Sequence, residues 1–346
     1  CGAAMKFDLI IMGDTPDAWT AAEEAARLGR RCAVLRPDVD GRGTPAGVAS
    51  ILSAYGNACE KVVRRSHAAP RDLWSEAVAR HESLVAQLGR EGGIRSWRGP
   101  VRLTGANSAE VFVAGVGLPL EADVILIAVG TIAKKPRGVE FDRQTIFAPE
   151  DVATLASVPP HLAVLGGSPT ATAFAGLFHA AGSNVTLIDA SRDDRRPSRF
   201  GRIGADVLEL HRDANGVKLR MSNGDVIETD AVLFAAKRHG ATASLGLAAA
   251  GLEADDEGRL WCDERGQTWQ PSIVAAGEVV GFPHELRHDR DAVRRSIASR
   301  LGSQIAGRID AAVHRRVPVP AGASHRRAVS RKHEPALRLF TVESGG

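Results

Sequence analysis

The chain reads as an α/β protein built on parallel strands, and three observations in its 346 residues carry that reading. The first is the stretch Leu162 to Asp189, LAVLGGSPTATAFAGLFHAAGSNVTLID: an apolar run, a glycine pair, a helix and a second apolar run ending in an acid. The second is the recurrence of the same order at Phe7 to Arg36, FDLIIMGDTPDAWTAAEEAARLGRRCAVLR. The third is a composition of 44% hydrophobic and 25% charged residues, ordinary for a globular chain and enough for two domains with cores of their own.

Taken in order, Phe7 to Met12 is apolar enough for a strand buried on both faces, and a helix follows the turn after it. Strand, glycine turn, helix and strand make a unit that binds dinucleotides, because the helix N-terminus offers free N–H groups and a positive dipole end to a pyrophosphate. In this first turn Gly13, Thr15 and Ala18 take the three glycine places of G-x-G-x-x-G, and Asp14 and Asp17 lie in or beside it. Thr15 puts a branched side chain where a diphosphate needs bare backbone. Each acid would repel a phosphate about 4 Å away by about 4 kcal/mol at an effective dielectric near 20. Arg36 ends the second strand where an acid would hold the ribose. The expectation is a structural unit that holds no nucleotide.

Pro37 to Ala58 reads as a loop, and Pro70 to Gly92 as an amphipathic helix with Leu73, Ala77, Leu84 and Leu88 on one side. Val101 to Leu120 alternates as a hairpin or meander, and Asp123 to Gly130 as a buried strand ending in glycine. The second unit turns at Gly166 and Gly167, with Ser168 and Ala171 at the second and third glycine places and Pro169 at the first helical position. Its acid, Asp189, suits ribose hydroxyls and disfavours a 2′-phosphate, so NAD(H) is expected there, while Arg192, Arg195 and Arg196 keep NADP(H) open. SRDDRRPSRFGR is then a charged loop, Val207 to Leu210 and Val217 to Met221 pair as a hairpin, and Val226 to Ala235 continues that sheet. Ile273 to Gly277 is a further buried strand leading to Glu278, and Arg290 to Ile309 is a helix with Val293, Ile297, Leu301 and Ile305 on one face.

The net charge of +3 is small, but residues 311–346 hold seven Lys or Arg against two Glu and read as a basic, solvated tail. Without interleaved aromatics that tail does not predict nucleic-acid binding. Cys1, Cys32, Cys59 and Cys262 are scattered, with no C-x-x-C and no metal spacing, so a reducing cytoplasm and no structural zinc are expected. No apolar run reaches membrane-spanning length, and Met5 reads as a native start with Cys1 to Ala4 added ahead of it.

Two such units, with DVILIAVG between them and IVAAGE after the second, resemble the pyridine nucleotide–disulfide oxidoreductases. Asn215 to Pro283 follows the soluble pyridine nucleotide transhydrogenase branch nearly continuously, and the likeness spans about Met5 to Asp310. It implies an FAD-type domain over residues 5–158 and 271–310 and an inserted NAD(P)-type domain over 159–270. It also implies nucleotide contacts at Gly13, Thr15, Ala18, Gly130, Gly277 and Glu278 in the first, and at Gly166, Gly167, Ser168, Ala171 and Asp189 in the second. Where disulfide-reducing members carry two cysteines and a lysine, this chain has Pro45, Ser50 and Ala54, which removes a thiol relay. The family's helix and strand after the second acid are replaced by the charged loop. Its interface domain, with a His–Glu pair and the dimer surface, has no counterpart before Gly346. On this reading FAD is doubtful, NAD(H) is the expected nucleotide, and the chain is a catalytically impaired relative acting through binding, with a protein partner. The alternatives are a working FAD-dependent NAD(P)H oxidoreductase and an NAD(H) sensor.

Overall fold

The structure is a computed structural model that describes residues 3–37, 79, 82–83, 85–90, 93–136, 138–190, 200–236, 238–283 and 289–303. They fall into two compact units, one drawn from Cys1–Val48, His81–Ile132 and His239–Gly322, the other built around Ala133–Arg238. The expectations for Pro45, Ser50, Ala54, Arg192, Arg195, Arg196, for most of the Pro70 to Gly92 helix and for the basic tail lie outside the described residues.

In chain order the structure runs β1 (Met5–Met12), α1 (Pro16–Arg27), β2 (Cys32–Arg36), β3 (Arg95–Arg98), β4 (Val101–Gly105), β5 (Ser108–Val113), β6 (Val116–Ile127) and β7 (Thr131–Ala133). There follow β8 (Ile146–Phe147), β9 (His161–Leu165), α2 (Pro169–Ala180), β10 (Asn184–Ile188), β11 (Gly201–Ile203), β12 (Val207–Asp213), β13 (Gly216–Met221), β14 (Val226–Thr229) and β15 (Ala231–Phe234). The last elements are β16 (Arg238–Gly240), β17 (Leu260–Trp261), β18 (Ile273–Ala275), β19 (Val280–Phe282) and α3 (Arg290–Ser303).

The first unit is organised by a seven-stranded sheet, β3-β2-β1-β6-β5-β4, with β18 also paired to β6. Side chains alternate across it, as strand geometry requires. Leu9 and Ile11 of β1 face α1, α3 and the buried Trp19, Val293, Ile297 and Leu301. Ile10 and Met12 face a second core with Leu103, Val111, Leu245 and Leu260. Strand β6 serves three partners: its first half runs antiparallel to β5, and its second half lies parallel to β1 and β18. The β5–β6 turn places Ala114 and Gly115 both at positive φ (49° and 80°) between Val113 and Val116, the backbone of a two-residue hairpin turn.

In the second unit the order β11-β10-β9-β15-β8 makes a parallel sheet, and β12-β13-β14 a separate antiparallel one. Two expectations need correction. The stretch after Asp189 is more than a charged loop, since Gly201–Ile203 forms a strand parallel to β10. Nor does Val226 to Ala235 continue the hairpin sheet throughout: β14 pairs with β13, the chain breaks at Asp230, and β15 joins β9. Asp230 anchors the break by accepting from the backbone N–H of His161 (2.8 Å).

Candidate functional site

The nucleotide-type turns lie at the C-terminal ends of the parallel strands of each sheet, the usual place for ligands in open α/β sheets. At the first, Gly13 has φ +149°, and a β-carbon there would stand 2.1 Å from the Ala128 carbonyl oxygen. Its glycine is therefore required by the close passage of residue 128 after β6, whatever binds nearby. Thr15 is the N-cap of α1. Its hydroxyl accepts from the Ala18 N–H (3.3 Å) and donates to the Ala128 carbonyl (2.9 Å), and the residue is buried. The branched side chain that argued against a diphosphate thus points into the protein.

Asp14 is fully buried and answers the second objection for one of the two acids. Its Oδ1 accepts from the Trp19 indole N–H (2.9 Å), and its Oδ2 accepts from Arg36 Nε (2.9 Å) and lies 3.5 Å from an Arg98 nitrogen. Arg36 and Arg98 are register partners at the ends of β2 and β3. Glu82 completes the group, taking Arg36 Nη1 (2.9 Å) on one oxygen and Arg36 Nη2 (2.5 Å) and Arg98 Nη2 (2.6 Å) on the other. The Arg36 guanidinium also sits 5.9 Å from the Trp19 ring centroid. Hydrogen bonds from Arg36, with the nearby charges of Arg36 and Arg98, pull the Glu82 carboxyl down to about 2 despite its partial burial. Burial works to lower the Arg36 pKa, but bonding to Glu82 and the charges of Asp14 and Glu82 leave it raised. Among the described residues two acids and two arginines cancel, so a phosphate nearby would meet a paired carboxylate rather than a bare one. Attractions at these distances are as large as the repulsion they offset.

The remaining members of the first turn collect along the same edge. Ala276 after β18 donates to the Ile127 carbonyl (3.1 Å), bringing Gly277 beside the turn: a β-carbon there would lie 2.6 Å from Asp17 Oδ2. Glu278 accepts from the Thr131 hydroxyl (2.5 Å), and its carbonyl accepts from Arg259 (3.1 Å). Gly130, at φ +68°, accepts from the Ala241 N–H (3.1 Å). Gly13, Thr15, Ala18, Gly130, Gly277 and Glu278 thus belong to one edge of one sheet.

The second turn repeats the device. Gly166 has φ +129°, and its β-carbon would fall 2.8 Å from the Ala235 carbonyl oxygen. Ser168 caps α2 by accepting from the Ala171 N–H (3.1 Å) and donates to the Ala235 carbonyl (3.4 Å). Asp189 is held by its N–H on the Ile203 carbonyl (3.0 Å), and its carboxylate lies over Gly167, where a β-carbon would be 1.9 Å from Oδ2. An acid over bare backbone at a capped helix N-terminus is the arrangement that binds a ribose and its diphosphate.

Neither described thiol is built for redox work. Cys32, fully buried in β2, has its pKa pushed far up by burial, and burial pushes Cys262 up to about 12. Among the described residues no group of three His, Cys, Asp or Glu is placed to hold a metal, and no helix is long and apolar enough to cross a membrane. Trp19, Glu82 and Arg98 were missing from the sequence reading.

A family model described as pyridine nucleotide-disulphide oxidoreductase matches residues 7–299. The chain is 32% identical over 178 residues to a soluble pyridine nucleotide transhydrogenase of Mycobacterium bovis, covering 46% of this chain and 38% of that protein. It is 28% identical over 332 residues to a dihydrolipoyl dehydrogenase of Chlamydia muridarum, covering 84% and 70%. Among solved structures it superposes on LpdA from Mycobacterium tuberculosis with TM-score 0.67 at 22% identity, over 86% of this chain and 73% of that one. It likewise superposes on a Cu(II) complex of the HOCl-induced flavoprotein disulfide reductase RclA from Escherichia coli, with TM-score 0.66 at 22% identity, over 86% and 71%. The chain thus spans well under half the length of the mycobacterial relative and nearly three quarters of the others. These matches overturn the expectation that FAD is doubtful, since they are to FAD-dependent flavoproteins that work with NAD(P)H. The physical reason is at the first turn: the bulk of Thr15 is turned inward and the charge of Asp14 is already paired.

Proposed function

Because the chain belongs to the pyridine nucleotide-disulphide oxidoreductase family, we propose that it is an FAD-dependent oxidoreductase of NAD(P)H that works without a catalytic disulfide. The observation that carries this reading is the pair of matching turns, each with a capped helix N-terminus behind a glycine that no other residue can replace. In the proposal the turn from Gly13 to Ala18, with Gly130, Gly277 and Glu278, holds the flavin nucleotide. Gly166, Gly167, Ser168, Ala171 and Asp189 hold the nicotinamide nucleotide, and Asp189 favours NAD(H). A bound flavin supplies hydride acceptance from reduced nicotinamide, and the protein's part is to bind, orient and shield the two. The sequence has no cysteine pair, and Cys32 and Cys262 are buried thiols, so electrons leave to an external acceptor rather than through a disulfide. The test is to denature the purified protein, identify any nucleotide released, and follow NADH and NADPH oxidation with a quinone or dye. Released FAD with NADH-driven dye reduction supports the reading, and no turnover even with added FAD overturns it.

A second reading, a catalytically impaired relative that acts on a protein partner, draws on Arg36 standing where the ribose acid is expected. A protein that retains FAD yet neither reduces it with NADH or NADPH nor passes electrons to any dye would select it.

A further inference from the structure

The first turn lacks an acid at the end of β2, yet a carboxylate stands beside that strand end. Arg36 closes β2, Arg98 closes β3 in register with it, and Glu82 bridges both guanidinium groups. We propose that Glu82 replaces the missing strand-end acid, accepting a hydrogen bond from an adenosine ribose hydroxyl of the dinucleotide at the first turn; this rests on the FAD-binding reading above.

Three features support it. Asp14 and Arg36 are buried, with side chains 0% and 7% exposed, whereas the Glu82 side chain is 39% exposed and is the open carboxylate of the group, beside Arg98 at 34%. An ionised carboxylate has about four acceptor sites, and Glu82 receives three donors: two on Oε1 and one on Oε2. Oε2 therefore keeps capacity for one more. The arginines clamp the carboxylate and keep it ionised, so the acceptor is pre-placed. The competing idea, that Arg36 itself reads a phosphate on the ribose, fits less well. Three of its five N–H donors are committed, Nε to Asp14 and one on each terminal nitrogen to Glu82, and the side chain is only 7% exposed, so the fork faces the protein.

The test compares two ligands on the intact chain stripped of flavin: FAD, and the FAD analogue built on 2′,3′-dideoxyadenosine, titrated by flavin fluorescence. The wild-type protein should bind the analogue about ten- to a hundredfold more weakly, the loss expected when a hydrogen bond to a charged acceptor disappears. Glu82→Gln should bind the two within about threefold of each other. Glu82→Asp, which keeps the charge and shortens the reach, should lose most of the discrimination. Equal binding of both ligands by the wild type overturns the inference without any variant having to fold, and so does an undiminished ribose penalty in Glu82→Gln. If the wild type takes up neither ligand, the FAD reading itself fails and this inference falls with it, an outcome distinct from FAD bound without ribose discrimination.

Discussion

At both turns a glycine passes beneath a carbonyl and a hydroxyl closes the helix: Gly13 and Thr15 against Ala128, Gly166 and Ser168 against Ala235. The acid, however, sits at a different position in each. In the first turn the acid is Asp14, inside the loop, and the strand ends in Arg36. In the second the loop residue is Gly167 and the strand ends in Asp189. The backbone construction and the chemistry shown to a ligand are thus separable. The first is enforced by sterics and helix capping, the second by two positions whose charge can differ while the fold stands.

Breaking the shared backbone should have the largest effect. Gly13→Ala forces a methyl into the Ala128 carbonyl at a positive φ, and a loss of about 4 kcal/mol or more in urea unfolding is expected, with Gly166→Ala close behind. A cost below about 1 kcal/mol at either site would end the likeness between the turns.

The loop position that differs should then separate them. Asp14→Ala strands the Trp19 N–H and the Arg36 Nε in a buried place and should cost about 3 kcal/mol, measured the same way. Gly167→Ala meets only the end of the flexible Asp189 side chain, so less than about 1 kcal/mol of stability should go. Titration calorimetry with NADH should nonetheless show its binding weakened, because the acid is displaced. If Gly167→Ala unfolds the protein, or Asp14→Ala leaves it untouched, the two positions are not counterparts.

The caps come next. Thr15→Ala and Ser168→Ala should each cost about 1 kcal/mol in thermal unfolding, Thr15 the more, since its second bond to Ala128 is the shorter.

The smallest expected effect is in pH. Glu82 has a folded pKa near 2 against 4.5 for the free side chain, so it binds fewer protons folded than unfolded in between. Its contribution is fully present above about pH 4.5 and is lost as pH falls toward about 2. Glu82→Gln should therefore flatten the acid limb of the stability curve and leave the slope above pH 5 unchanged; because the group is more than a third exposed, solvent screening keeps the effect small.

The turns were legible in the sequence because they are local. Glycine, hydroxyl, proline and a small residue within six positions dictate cap and turn, and an unbroken apolar run such as Leu9-Ile10-Ile11-Met12 marks a strand with two buried faces. The cluster at Asp14 was not legible, because Arg36 is 22 residues away and Glu82 a further 46 from Arg36, with no pattern to join them. Read one at a time, Asp14 repels phosphate and Arg36 fails to hold ribose; together they neutralise each other, so Asp14 is no objection to FAD at that turn. The break at Asp230 was hidden for a related reason. Val226 to Phe234 reads as one strand, and only the pairing partners reveal two.

The hairpin turn at Ala114 and Gly115 has a consequence far from its own surface position. Since β6 continues from that hairpin into the central sheet, a one-residue slip at the turn would rotate Ile125 and Ile127 out of one hydrophobic layer and Val124 and Leu126 out of the other. The two left-handed residues act as an indexing pin: they set the phase of a twelve-residue strand, and thereby where Ala128 stands when Gly13 must fit beneath it.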